Sequence, residues 1–325
     1  MSIAHAADLA QPLALQTRSR APMPLAYHTL DVFTTRRLAG NPLAVVLDAD
    51  NLETAQMQAI AREFNLPETV FVLKPLNPAH SARIRIFTPT SEVPFAGHPT
   101  VGTAALLTEL RLGGLPGNHD QLVTIEQTIG LVRVGVRVRQ GQPTFAEFDA
   151  PKLPTPAGAL ASVEQIGAAL GLMTSEIGFA NHKPSRFSAG TSFAFIPIAS
   201  REAISRAEVR RPAWDVAFGG QGLVGAYLYT RETMFNAANF HARMFAPDVG
   251  IPEDPATGSA AVMFAGVVLT YDTPPDGTHK RIIEQGYQMG RPSEVSVSLE
   301  IKQGKLHTVR IGGSSVRVAE GQLYD

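Results

Sequence analysis

The sequence predicts an α+β fold of two pseudo-symmetric domains, each a barrel-like mixed β-sheet around a central helix. Two internal echoes and one recurring helix type carry that prediction. His98-Pro99-Thr100-Val101-Gly102-Thr103-Ala104-Ala105 returns 156 residues later as Asp254-Pro255-Ala256-Thr257-Gly258-Ser259-Ala260-Ala261. Each copy follows a Phe-x-Pro lead-in, Phe87-Thr88-Pro89 to Pro94 in one half and Phe245-Ala246-Pro247 to Pro252 in the other. A second echo pairs Ala39–Val46 with Ala189–Ile196, both a glycine-led turn entering an apolar run of β-formers. The order is the same in both halves, and the spacing is near half of the 325 residues, the mark of a duplicated unit. In each half the Pro-x-x-Gly pattern opens a run of helix formers, Thr103–Leu110 and Ala260–Leu269, apolar nearly all round and hence buried.

Taken in order, Tyr27–Phe33 alternates as a strand and Leu43–Leu47 is a fully apolar one. Leu52–Phe64 has helical spacing of Leu52, Met57, Ile60, Ala61 and Phe64. Thr69–Leu73 and Ala82–Phe87 return to strand, followed after the first buried helix by Val123–Ile125, Leu131–Val138 and Thr144–Phe148. Pro151–Ala159 carries two further prolines, Pro154 and Pro156, and reads as a linker. Beyond it, Val163–Leu170 and Ser200–Ala207 read as helices, and Gly225–Thr230, Asn239–Phe245, Val295–Ile301 and Val309–Ile311 as strands. The expected division is a flexible extension over 1–25, one domain over 26–150 and a second over 160–325, whose C-terminal end packs back on the first. Residues 1–25 lack the basic start and unbroken apolar core of a secretory signal.

Composition narrows the function. A net charge of −1 gives no electrostatic case for nucleic acid or an anionic membrane, and no run of 18 apolar residues offers a membrane span. Cysteine is absent, which removes disulfides, thiolate metal sites and thiol acid–base pairs, and fits a cytoplasmic location. The nine histidines are nowhere within five residues of one another, so no local metal pair is read. Gly220-Gln221-Gly222-Leu223-Val224-Gly225 matches the dinucleotide fingerprint, but the strand-like Ala226–Thr230 follows where that motif needs a helix. It is read as a turn.

The candidate chemistry lies in the two Pro-x-x-Gly loops. The first N–H groups of a helix lack internal partners and carry partial positive charge, so helix starts at Gly102 and Gly258 are ready carboxylate sites. The plain structural alternative makes Asp254 and Thr257 helix caps. The exchange of His98 for Asp254 at the variable position favours a functional reading. Glu68, between an amphipathic helix and an apolar strand, is the further candidate: in a closed apolar cleft its pKa rises into the range of a general acid/base.

The runs Asp31-Val32-Phe33, Gly40–Val45, Met57–Phe71, Ile86–Thr100, Asp254–Ala260 and Glu284–Ser293 together resemble the PhzF-like (phenazine biosynthesis) isomerase family, from about residue 27 to the C-terminus. Pro67 stands where the family pattern has serine beside the glutamate. The resemblance implies a diaminopimelate-epimerase-like fold with the site between the domains. It implies Glu68 as catalytic acid/base, and His98 and Asp254 as residues flanking the substrate. Asn41, Gly97, Thr257, Gly258 and Ser259 match substrate-binding positions, and the family implies a homodimer. The expected activity is a cofactor-independent proton-shift isomerisation of a small carboxylate-bearing substrate. Two alternatives stay open: an amino- or hydroxy-acid epimerase using Glu68 and Asp254 as opposed bases, and a non-catalytic small-molecule binding protein. Two-thiol racemisation is excluded by the lack of cysteine.

Overall fold

A computed structural model describes residues 24–324, so the expected extension over 1–25 lies outside them except for Pro24 and Leu25. The chain runs β1 (Leu25–Val32), β2 (Asn41–Val46), α1 (Thr54–Phe64), β3 (Glu68–Leu73), β4 (Ala82–Phe87), β5 (Glu92–Val93), α2 (Gly97–Leu112), β6 (His119–Gln127), β7 (Gly130–Val138) and β8 (Thr144–Asp149). It continues through β9 (Thr155–Pro156), α3 (Val163–Leu170), β10 (Ser185–Ser188), β11 (Ser192–Pro197), α4 (Arg201–Arg206), α5 (Ala213–Ala217), β12 (Gly225–Thr230), β13 (Phe240–Ala246) and β14 (Ile251–Asp254). The last elements are α6 (Gly258–Asp272), β15 (Gly277–Gln285), β16 (Ser293–Lys302) and β17 (Lys305–Leu323).

Strand pairing repeats along the chain. The order β1-β2-β3-β4-β6-β7-β8 has parallel joints at β2–β3 and β4–β6 and antiparallel joints elsewhere, with β5 added to β4. The order β10-β11-β12-β13-β15-β16-β17 has the same pattern, with parallel joints at β11–β12 and β13–β15 and β14 added to β13. The 19-residue β17 belongs to both sets. Besides β16 it pairs with β1 and with β8, and so closes the first set into an eight-stranded barrel. Period-2 patterning sets which side faces in. In β7, Val132, Val134 and Val136 are buried while Arg133 and Arg137 point out.

Each set wraps one apolar helix. Helix α2 packs on β1, β2, β3, β6, β7, β8 and β17, and α6 on β9, β10, β11, β16 and β17. Both helices are buried over most of their length, as their all-round apolar sequences require. The helix expected from Thr103 begins at Gly97 instead, so Gly102 is not a helix start. Pro99 is tolerated because it is the third helical residue, where no N–H is needed. Gly102 lies inside the helix, where a Cβ would come within 2.7 Å of the Leu43 and Val32 side chains.

The second echo is a turn into strand in both places, with Gly40 at φ +66° before β2 and Gly190 at φ +105° before β11. The glycine-rich run at 220–225 enters β12, as read from the sequence. The expected linker instead holds β9, which pairs with Phe187 and Ser188. Strand β15 and helix α5 were not foreseen, and β17 is far longer than Val309–Ile311.

The N-termini of α2 and α6 meet head to head. A Cβ on Gly97 would lie 3.2 Å from Cα of Gly258, and one on Gly258 would lie 3.3 Å from Cα of Gly97. Backbone meets backbone there, so neither side can yield by a rotamer change. Gly97→Ala and Gly258→Ala are each expected to lower unfolding free energy in urea by about 1–3 kcal/mol, the usual cost of overpacking. The double variant should lose more than the sum, because both methyls enter one gap. Unchanged stability in either single variant would show that the contact opens freely.

Candidate active site

Four segments converge where the two helices meet. Glu68 opens β3 and is paired in register with Leu43 of the neighbouring β2, which itself begins at Asn41. His98 is the second residue of α2. Asp254 ends β14, and Thr257, Gly258 and Ser259 form the start of α6. A Cβ on Gly97 would sit 3.7 Å from the Ser259 nitrogen, so the two first turns are in contact. All eight residues named from the sequence therefore lie in one place. Neither helix is capped by the side chain of its own N-cap residue. In particular Thr257 does not cap α6: its hydroxyl donates to Asp254 Oδ2 at 2.6 Å.

The two carboxyls are held differently. Asp254 Oδ1 accepts from Asn41 Nδ2 at 2.9 Å and Oδ2 from Thr257. Burial pushes its pKa up to about 6, and these hydrogen bonds limit the rise. Among the described residues, Glu68 has no such donors. Its side chain is 17% exposed; burial first, and the charge of Asp254 second, push its pKa up to about 8. At neutral pH Asp254 is ionised while Glu68 is mostly protonated with an ionised minority.

His98 Nε2 lies 3.3 Å from Glu68 Oε2, yet its geometry makes no hydrogen bond. The contact is not an ion pair at neutral pH, because burial pushes the imidazole down to about 3. The Pro42 carbonyl accepts from the ring, which raises the value only in part. With Nε2 unpartnered, the nitrogen donating to Pro42 is Nδ1, so Nε2 presents its lone pair to the glutamate.

Two supporting residues lie in the 284–293 run quoted from the sequence without a role. Gln285, fully buried in β15, donates through Nε2 to the Asp254 carbonyl at 2.7 Å and to Thr257 Oγ1 at 3.0 Å, and accepts from the Thr257 N–H at 3.3 Å. Arg291 donates to the carbonyls of Ala39 and Gly40, both at 2.8 Å, and to Asp31 Oδ1 at 2.5 Å. It thereby ties the turn before Asn41 to the second half of the chain. Sequence patterning could not find Gln285, since a buried glutamine at a strand end has no periodic signature. Among the described residues, no group of three or more His, Asp or Glu is placed to hold a metal ion. Also among them, no helix is long and apolar enough to cross a membrane.

Chemically, the arrangement offers free backbone N–H groups at two abutting helix starts, suited to an anion. Beside them stand a protonatable glutamate, a neutral imidazole and a fixed carboxylate.

Residues 30–321 match the family described as phenazine biosynthesis-like protein, PhzC-PhzF. An uncharacterised isomerase of Mesorhizobium japonicum is 50% identical over 301 residues, covering 92% of this chain and 98% of the relative. A trans-2,3-dihydro-3-hydroxyanthranilate isomerase of Pseudomonas fluorescens is 34% identical, covering 91% of this chain and 98% of the relative. The crystal structure of a phenazine biosynthesis protein of the PhzF family from Bacillus anthracis superposes with a TM-score of 0.83 at 26% identity, over 93% of this chain and 99% of the other.

The raised carboxyl values have a consequence for stability. Between its ordinary 4.5 and its folded value of about 8, Glu68 is protonated in the native state and ionised in the unfolded one. The native state then binds more protons, so stability falls as pH rises through that window and is flat below it. Asp254 adds a smaller fall between 3.8 and about 6. Urea unfolding of the wild type should lose stability with a slope approaching about 1.4 kcal/mol per pH unit for the Glu68 step. Glu68→Gln should remove that slope between pH 6 and 8 and be the more stable protein at pH 8. Parallel profiles for the two proteins would show that Glu68 titrates normally.

Proposed function

The chain belongs to the PhzC-PhzF family of phenazine biosynthesis-like proteins and is an isomerase, and from that premise we propose that it moves a proton along a small carboxylate-bearing substrate by glutamate general acid/base catalysis, without metal or organic cofactor. The observation that carries this reading is the placement of a half-buried, protonatable Glu68 beside two helix starts in contact with each other.

In this account the substrate carboxylate accepts hydrogen bonds from free N–H groups at Gly97, Gly258 and Ser259, and the helix ends stabilise charge as it builds up. Each well-placed donor contributes about 3 kcal/mol in comparable oxyanion sites. Ionised Glu68 takes a proton from a carbon next to the conjugated system. The C–H electron pair spreads into the diene and its carboxyl group, and the Glu68 O–H then returns the proton to another carbon on the same face. A pKa of about 8 suits a group that must both take and give a proton near neutral pH. Neutral His98, 3.3 Å from the Glu68 carboxyl, orients the substrate without adding positive charge. Asp254, with both oxygens already engaged, tunes Glu68 and orients the substrate. That engagement disfavours the epimerase reading, in which Asp254 must itself exchange a proton with the substrate.

The Pseudomonas fluorescens relative, 34% identical, is named for trans-2,3-dihydro-3-hydroxyanthranilate, and a cyclic diene acid of that kind is the substrate class adopted here. The same reading takes the chain as two pseudo-symmetric domains, 26–150 and 160–325, closing on the substrate, and as a cytoplasmic homodimer.

The test is incubation in D₂O with trans-2,3-dihydro-3-hydroxyanthranilate and a panel of amino acids, followed by proton NMR. Deuterium should enter the diene ring, and Glu68→Gln should slow this by roughly 10²–10⁴-fold, the usual contribution of a general acid/base. Ring exchange that is indifferent to Glu68→Gln would overturn the assigned role. Exchange at an amino-acid α-carbon with inversion would make the protein an epimerase.

A further inference from the structure

Tyr227 is fully buried in β12, and its hydroxyl has no hydrogen-bond partner among the described residues. The mechanism above does not use it. Strand register places it in one row with the site: Tyr227 is paired with Met244 of β13, and Met244 with Asp254 of β14. Residues paired across neighbouring strands project on the same face, so Tyr227 and Asp254 emerge on one side of the sheet. The ring packs against Phe195 at 5.7 Å and against Phe264 of α6 at 6.0 Å between centroids, which fixes its direction.

Tyr229, two residues on and facing the same way, provides the contrast: its hydroxyl meets His182 Nδ1 at 3.0 Å. The fold thus supplies a partner for one inward tyrosine and none for the other. A buried hydroxyl left without a partner costs about 1–3 kcal/mol, and phenylalanine fills the same space without that cost. Asp254 does not satisfy it, since its oxygens take Asn41 and Thr257. Burial, with the Asp254 charge adding to it, pushes the phenol well above its usual pKa, so it remains a neutral donor.

We propose that Tyr227 is a substrate-binding residue whose Oη donates a hydrogen bond to a second oxygen function of the substrate, a hydroxyl or carbonyl on the Asp254 side, distinct from the carboxylate held at the helix starts. The inference rests on reading this cleft as the substrate site. It narrows the substrate class to oxygenated carboxylic acids and makes Tyr227 the group that discriminates against plain ones.

Tyr227→Phe tests it in two ways. Without ligand, the variant should be as stable to urea as the wild type or slightly more so. A clear loss of stability would mean that the hydroxyl has a partner within the protein, and would overturn the proposal. In calorimetric titrations with 3-hydroxyanthranilate and anthranilate, the wild type should prefer the hydroxylated compound by roughly tenfold, the size of one net hydrogen bond. Tyr227→Phe should abolish that preference by weakening only the hydroxylated compound. No preference in the wild type, or equal weakening of both compounds, would overturn the proposal. Glu68→Gln should keep the wild-type preference, so a failed exchange experiment alongside intact discrimination would sink the isomerisation mechanism and leave Tyr227 in its role.

Discussion

Two α-helices in this chain present their N-termini to each other at backbone contact, Gly97 against Gly258. Each N-terminus carries roughly half a positive charge on its first N–H groups, and neither is capped by the side chain of its own N-cap residue. Bringing two such ends together costs free energy unless negative charge sits beside them. The duplicated architecture imposes this geometry, since each set of strands wraps its own helix and the shared β17 locks the sets together. Much else follows from it. The glycines are required by the approach, and the carboxyls of Glu68 and Asp254 gather beside the junction. The remaining donors suit an anion.

The halves are alike in topology and unlike in chemistry, and the difference resides in hydrogen-bond donors. Asp254 receives Asn41 from the first half and Thr257 from its own, which keeps it ionised at neutral pH despite burial. Glu68 receives none and answers to burial and to its charged neighbour. Two neighbouring carboxylic acids thus take different protonation states from environment alone, a recurring basis for assigning acid/base roles. The imidazole at the position equivalent to Asp254 stays neutral, so it adds no positive charge that would pull the Glu68 value back down.

Much of this was legible in the chain. The His98/Asp254 repeat marked the start of α6 at Gly258 and the neighbourhood of the α2 start, five residues before the Gly102 read from the pattern. Alternating Val and Arg gave β7, and all-round apolar runs gave the two central helices. The gaps have physical causes. The start of α2 was misplaced because Pro99 resembles a boundary, although it is harmless in a first turn. Strand β15 was missed because its first half is largely exposed and polar. The length of β17 was hidden by Gly312, Gly313, Ser314 and Ser315, small residues that pack tightly against Phe33, Phe145 and Glu147 and show no apolar alternation. Gln285 acts through partners distant in sequence, and the lone hydroxyl of Tyr227 is defined only by its tertiary surroundings, neither of which local patterning can register.

The account depends most on the state of Glu68. Its carboxyl carbon, followed by ¹³C NMR in protein labelled at glutamate and assigned with Glu68→Gln, reports that state directly. The account predicts a titration midpoint near 8, falling when Asp254→Asn removes the neighbouring charge. A midpoint in the ordinary glutamate range, unmoved by Asp254→Asn, would contradict it.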